Sequence, residues 1–222
     1  MKKILFITGT DTGAGKTVLT ALLAEFLCGK KFNVAALKPV CSGGRGDAEK
    51  IFAALGGRMD LDRINPWHFR AAVAPSLAAR REKRPVKLAQ VVAHVRAMQN
   101  GFDAILIEGA GGLLSPLGEN FDSRDLIIKL DATPVIVASN KLGAVNHILL
   151  TLEALPKKFR ARSKVVLMSP ARPDTATGSN AELLGEFLPP GKIFGLPWLG
   201  KNFSPAKVLR KPDVKRTLSG LL

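Results

Sequence analysis

No apolar run in this 222-residue sequence reaches the ~18 residues that a membrane-spanning helix needs, so no membrane partner is expected. Met1-Lys2-Lys3 leads into only five apolar-type residues before Gly9, short of the ~7–15 of a signal-peptide core. Cysteine is scarce. Cys28 and Cys41 show neither metal-ligand nor disulfide spacing, which points to reduced thiols in a cytoplasmic protein. Internal repeats, heptads and low-complexity segments are absent, as are a DNA-recognition helix and the aromatic signature of RNA-binding domains. Acidic residues are few: 18 face 33 lysines and arginines, for a net charge of +15. The excess gathers in Arg80–Arg84, in Lys157–Lys164 and in the tail from Lys201 to Arg216. Such charge can bind nucleic acid or anionic lipid, or draw in anionic substrates. Without a nucleic-acid motif, the last reading is preferred.

A hydrophobic content of 46% excludes disorder, and the length suits one α/β domain over residues 1–222, with a basic segment from about 200 onward. Its N-terminus sets strand, glycine-rich turn and helix in succession. Ile4-Leu5-Phe6-Ile7 reads as a buried strand, and an amphipathic helix runs from Val18 to Cys28. Between them lies Thr8-Gly9-Thr10-Asp11-Thr12-Gly13-Ala14-Gly15-Lys16-Thr17. Glycines let a backbone curl so that successive N–H groups face one anion, and the helix N-terminus adds partial positive charge. The expected nucleotide-binding set is Thr10, Asp11, Thr12, Gly13, Ala14, Gly15, Lys16, Thr17 and Val18. Lys16 can reach the β- and γ-phosphates, and the Thr17 hydroxyl is placed to hold Mg²⁺. Five residues separate Gly9 from Gly15, one more than the common pattern.

Further along, Gly29 falls where a helix C-cap would stand. A second strand, Asn33–Leu37, delivers Lys38-Pro39-Val40-Cys41-Ser42-Gly43-Gly44, placing Lys38 at the sheet edge where ligands collect. Asp47 opens a helix that runs to Leu55, as a cap or as something more. Ile64–Ala79 is proline-punctuated and weakly periodic, and reads as a loop over the sheet. Lys87–Asn100 is amphipathic, with His94 beside its apolar face in a structural or exposed place. Asp103–Glu108 is a buried strand ending in a carboxylate and then in glycines, a placement that suits Mg²⁺. Thr133–Ser139 is another core strand, followed by Asn140-Lys141-Leu142-Gly143 and a helix over Ile148–Leu155. Gly143 stands where the guanine-reading motif of GTPases needs Asp, so guanine specificity has no support. Lys164–Met168 and Lys192–Leu196 complete about six strands, and the tail after Trp198 ends in one short helix. The fold class is α/β: a mostly parallel sheet flanked by helices on both faces, as in P-loop NTPases.

In order and spacing these stretches resemble the dethiobiotin synthetase family, from residue 4 to about 200. The carrying residues are Gly9-Thr10-Asp11-Thr12 through Gly15-Lys16-Thr17, with its extra loop residue, then Lys38-Pro39-Val40 and Asp47-Ala48. Asn65-Pro66-Trp67-His68-Phe69, Glu108-Gly109-Ala110-Gly111-Gly112, Lys141-Leu142-Gly143, Asn146-His147 and Leu196-Pro197-Trp198-Leu199 follow. The resemblance implies a cytoplasmic ligase of biotin synthesis that carboxylates 7,8-diaminononanoate with CO₂ and closes the ring at the expense of ATP. It implies Lys16, Lys38 and Thr12 as catalytic, and Thr17, Asp47 and Glu108 as Mg²⁺ ligands. Substrate would meet Thr12, Lys38, Ser42, Glu108, Gly111, Gly112, Lys141, Gly143 and Asn146. The last of these are expected to face the partner subunit of a homodimer. One departure stands out: the family's adenine-reading asparagine is missing from the end of Lys164–Met168. Two rivals fit less well. An amide-forming relative would need a glutamine-hydrolysing unit, and a partition-type ATPase that binds DNA usually carries an extra lysine early in the loop, where Thr10-Asp11-Thr12 stands.

Overall fold

The computed structural model describes residues 3–200 and 203–222; Lys201, where the basic tail begins, lies outside them. Six strands form the central sheet: β1 (Lys3–Gly9), β2 (Val34–Leu37), β5 (Ala104–Gly112), β6 (Thr133–Ser139), β7 (Lys164–Met168) and β8 (Ile193–Leu196). Their order is β2-β5-β1-β6-β7-β8, and every neighbouring pair runs parallel. Continuous apolar runs suit such a sheet, because its inner strands are covered on both faces. Leu5, Phe6 and Ile7 of β1, and Ile105, Leu106 and Ile107 of β5, are all buried.

The chain leaves β1 through α1 (Lys16–Gly29) toward β2 at one edge, and later steps from β5 toward β8 at the other. Right-handed crossovers in opposite directions place their helices on opposite faces. On the α1 face lie α2 (Gly46–Ala54), α10 (Pro205–Val208) and α11 (Pro212–Gly220), each packed against α1. α5 (Leu88–Met98) packs on α6 (Ser123–Leu130), which covers β1 and β5. α7 (Ala144–Glu153) and α8 (Lys157–Arg162) pack on β6, and α9 (Thr175–Gly185) joins α7 to β8. The direction of crossing reverses at β1, and ligands collect beyond the C-terminal strand ends at such a point. No helix among the described residues is long and apolar enough to cross a membrane.

Four expectations need correction. Ile64–Ala79 is not a plain loop: α3 (Leu61–Ile64) precedes it, β4 (Trp67–Phe69) pairs in parallel with β3 (Val40–Ser42), and α4 (Pro75–Arg81) closes it. Three-residue strands are too short to show a period. Gly29 does not cap α1; the helix includes it, and the reversal falls on Lys31 at φ 64°. The helix after β6 begins at Ala144, on Gly143 in the left-handed region, not at Ile148. The tail holds two helices, and α11 buries Val214 and Leu218. His94 is structural, its Nε2 2.8 Å from Arg63 O and its ring edge-on to Trp67 at 5.7 Å.

Candidate active site

A cavity of about 710 Å³ opens at the C-terminal edge of the sheet, between the glycine-rich loop, the β2–β3 junction and the segment after β5. The loop forms because Gly13 and Gly15 take φ values of 76° and 101°, which side-chain-bearing residues rarely adopt. Thr10 N–H donates to Val137 O at 3.0 Å, and Thr12 N–H to Asp11 Oδ1 at 2.6 Å. Both amides are therefore engaged in holding the loop. The first turn of α1, by contrast, has N–H groups with no intrahelical acceptor. Lys16 is buried and arches back over the loop, its Nζ donating to Asp11 O at 2.8 Å. Burial, then the nearby Lys38 charge, lowers its ammonium to about 8, against the opposing pull of Glu108, Asp47 and Asp11.

Next to the loop, side chains from α1, α2, β5 and the β2–β3 junction converge. Lys38 Nζ lies 2.6 Å from Glu108 Oε1, 3.0 Å from Asp47 Oδ2 and 3.1 Å from Gly109 O. Thr17 Oγ1 donates to the same Glu108 Oε1 at 2.7 Å. The Lys38 and Glu108 side chains are 3% and 0% exposed, whereas that of Asp47 is 46% exposed. Burial alone would push the Lys38 ammonium down, but Glu108 and Asp47 hold it above lysine's ordinary value. Burial would likewise raise the Asp47 carboxyl; the Lys38 ammonium, by its charge and its hydrogen bond, keeps it below the usual carboxylate range. The cluster is thus charged, paired and open to the cavity on the Asp47 side.

Of the residues singled out in the sequence, Thr12, Gly13, Gly15, Lys16, Thr17, Val18, Lys38, Ser42, Asp47 and Gly111 line this cavity. Ser42 Oγ donates to Val73 O at 2.5 Å, and Gly111 takes φ 67° against Ser115. Glu108 stands behind the wall, reaching the cavity through Lys38 and Thr17. Thr10, Asp11, Ala14 and Gly112 shape the loop and strand end without lining the space. Lys141, Gly143 and Asn146 are not brought there: they sit exposed at the β6–α7 turn. Leu142 beside them is 80% exposed and Leu150 on α7 is 61% exposed.

Lys50, Cys41, Ala110, Ser115, Pro116 and the turn Val73–Pro75 also line the cavity and were not anticipated. Ser115 accepts from Gly112 N–H at 2.8 Å, a local bond that gives no signal in the sequence. Cys41 sits between Lys38 and Ser42, so its neighbours were the available clue.

At the end of β7, Met168 lies against Gly15 of the loop; a Cβ on that glycine would come within 3.0 Å of Met168 Cγ. Ser169 N–H is taken by Leu196 O at 2.9 Å. The nearby Asn140 is also committed: its Nδ2 donates to Thr177 O at 3.0 Å and its Oδ1 accepts from Asn180 Nδ2 at 2.8 Å.

A family model described as an AAA domain matches residues 3–201. Curated relatives named ATP-dependent dethiobiotin synthetase BioD include one from Anaeromyxobacter sp. (strain Fw109-5), 41% identical over 167 residues. That match covers 73% of this chain and 75% of the relative. A second, from Anaeromyxobacter dehalogenans, is 37% identical over 199 residues, covering 87% and 89%. A third, from Methanococcus vannielii, is 35% identical over 155 residues, covering 70% and 74%. Among solved structures, pNOB8 ParA bound to nonspecific DNA superposes with a TM-score of 0.60 at 14% identity, over 100% of this chain and 97% of that one. At that identity the likeness speaks for the fold alone.

Proposed function

The chain belongs to the ATP-dependent dethiobiotin synthetase family, and from that premise we propose how its residues divide the work. As a member it is a ligase of biotin synthesis that forms dethiobiotin with ATP. The observation that carries the assignment of roles is the convergence of Thr17, Lys38, Asp47 and Glu108 beside the phosphate loop. Residues 1–222 act in this reading as one cytoplasmic domain.

The glycine-rich loop, from Thr10 to Val18, takes the triphosphate, with Lys16 released from Asp11 O to the γ-phosphoryl oxygens. One amine of 7,8-diaminononanoate takes up CO₂ as a carbamate and loses a proton. The Lys38 ammonium faces the carbamate anion, and Thr12 and Ser42 orient the diamine with the Gly111–Gly112 backbone. A carbamate oxygen then attacks the γ-phosphorus, and ADP leaves. The second amine closes on the carbon of the mixed anhydride, and phosphate departs with that carbamate oxygen. Positioning and charge neutralisation carry such a transfer.

The residues present fit Mg²⁺, which takes one or two carboxylates and completes its shell with water and phosphate oxygens. Glu108 Oε2 is buried without a hydrogen-bond partner, a costly state that a cation relieves. Thr17 and Asp47 supply the other oxygens. No group of three His, Cys, Asp or Glu able to hold a metal occurs among the described residues, and this hydroxyl-plus-two-carboxylate set does not need one. Mg²⁺ bound there would neutralise the triphosphate.

Lys141, Gly143 and Asn146 reach substrate only if a second copy brings them. Helix α7 begins beside them, and its N-terminus suits the diamine's distant carboxylate. We therefore expect a homodimer in solution, with Leu142 and Leu150 covered. Sedimentation of Leu150→Asp should show monomer and a raised KM for the diamine; a fully active monomeric wild type would remove these three residues from the site.

Nucleobase discrimination is expected to be weak. A paired donor and acceptor worth ~1–3 kcal/mol normally reads a base edge, and here Met168 and Ser169 stand where the asparagine would, while Ser169 N–H and the Asn140 amide are already bonded. Steady-state rates with ATP, GTP and CTP should agree within about tenfold, or ~1.4 kcal/mol. A preference for ATP above about a hundredfold, ~2.7 kcal/mol, would mean that another group reads adenine.

A further inference from the structure

None of the residues in Asn65-Pro66-Trp67-His68-Phe69 lines the cavity, yet Asn65 is 0% exposed. A buried amide is tolerated when both of its ends are hydrogen-bonded. Both are. Asn65 Nδ2 donates to Lys38 O at 2.6 Å. Asn65 Oδ1 accepts from Arg45 Nε at 3.3 Å and from Cys41 Sγ at 3.2 Å. Arg45 is locked in turn: it donates to Asn65 O at 3.0 Å and Leu61 O at 2.9 Å, and bridges Asp62 at 2.8 Å.

The two residues held by this amide carry different halves of the charged cluster. β2 ends at Leu37, so the Lys38 backbone is past the ladder of the central sheet. Its N–H goes to Ile64 O at 3.0 Å, its carbonyl to Asn65, and the following Pro39 carbonyl to Trp67 N–H at 3.1 Å. Arg45 stands at the N-cap of α2, two residues before Asp47. A single side chain therefore ties the strand end that presents Lys38 to the helix start that presents Asp47. The 3.0 Å Lys38–Asp47 contact is built on that tie.

We infer that Asn65 is a positioning residue for the reaction: it fixes Lys38 and Asp47 relative to Glu108 without touching substrate or nucleotide. This rests on the roles given above to Lys38 and Asp47. A misplacement of about 1 Å in such a constellation can cost on the order of 10²-fold in rate. A residue needed only for packing would instead lower stability and every binding step together.

The test compares Asn65→Ala and Asn65→Asp, with Lys38→Gln as the reference. It measures kcat for dethiobiotin formation, the Mg²⁺ concentration for half-activation, metal-free ADP affinity and the melting temperature. Asn65→Ala should lose about tenfold to a hundredfold in kcat and need several-fold more Mg²⁺. Metal-free ADP affinity should stay within about twofold, because residue 65 makes no bond to the phosphate loop. Asn65→Asp keeps the acceptor for Arg45 and loses the donor to Lys38 O. Its pairing with Arg45 should keep it folded at a lowered melting temperature while it shares the kcat loss, which decides the matter if the alanine variant does not fold. A folded Asn65→Asp with wild-type kcat and Mg²⁺ requirement overturns the inference. So does a fall in ADP affinity that parallels kcat. If Lys38→Gln is itself fully active, the assignment of Lys38 fails first; if it is inactive while Asn65→Asp is fully active, only the role of Asn65 is lost.

Discussion

Lys16→Ala should lower the rate of dethiobiotin formation by on the order of 10²–10³-fold or more, with the fold intact. The Lys16 ammonium donates to a carbonyl of its own loop, Asp11 O. That oxygen belongs to an exposed residue, so water can replace the ammonium there without leaving a buried group unpaired. The melting temperature is thus expected to change little, while the γ-phosphoryl loses the charge aimed at it. Folded Lys16→Ala with near-full turnover would end the assignment of this loop to phosphate.

Lys38→Gln is expected to cost about 10²-fold in turnover, with metal-free nucleotide affinity within about twofold. In the proposed mechanism the lysine supplies the cation facing the carbamate, and it separates two carboxylates, Glu108 and Asp47. Removing one partner of a buried ion pair typically costs ~3–5 kcal/mol. The loss should be smaller here: glutamine keeps N–H donors, Glu108 retains the Thr17 hydroxyl, and Asp47 is half-exposed. Calorimetry that finds metal-free ATP binding collapsed in this variant would reassign Lys38 to the nucleotide.

The strands were legible wherever burial on both faces made them continuously apolar, as in Ile4–Ile7 and Ile105–Ile107. The phosphate loop was legible because few backbones other than strand–glycine turn–helix use Gly-Lys-Thr in this way. Placing Lys38 at the ligand edge followed from its position after a strand. Its partners did not: Glu108 is seventy residues away and reaches Lys38 because β5 lies beside β2, and Asp47, nine residues on, comes back to it from the start of α2. β3 and β4 stayed hidden because each is three residues long and a proline stands just before each. Of the two tail helices the terminal one, α11, was expected; α10, four residues opened by Pro205, is too short to show a period. Asn65 could be read as part of a motif, but its reach to Lys38 and Arg45 exists only once β4 lies beside β3. Lys141, Gly143 and Asn146 are a different matter. One chain's fold leaves them outside the cavity, and a strand-end residue reads alike in sequence whether or not the turn beyond it bends toward the site.

In the proposed reaction the carbamate oxygen attacks phosphorus at this site and leaves with it. The direct measurement supplies 7,8-diaminononanoate, ATP and ¹⁸O-labelled bicarbonate, and follows dethiobiotin and phosphate by mass spectrometry over times shorter than label exchange with water. The expected result is one phosphate per ring closed, carrying a single oxygen from bicarbonate, and no phosphate release when either the diamine or bicarbonate is withheld. Phosphate without that label, or ATP hydrolysis that proceeds equally well without the diamine, would contradict it.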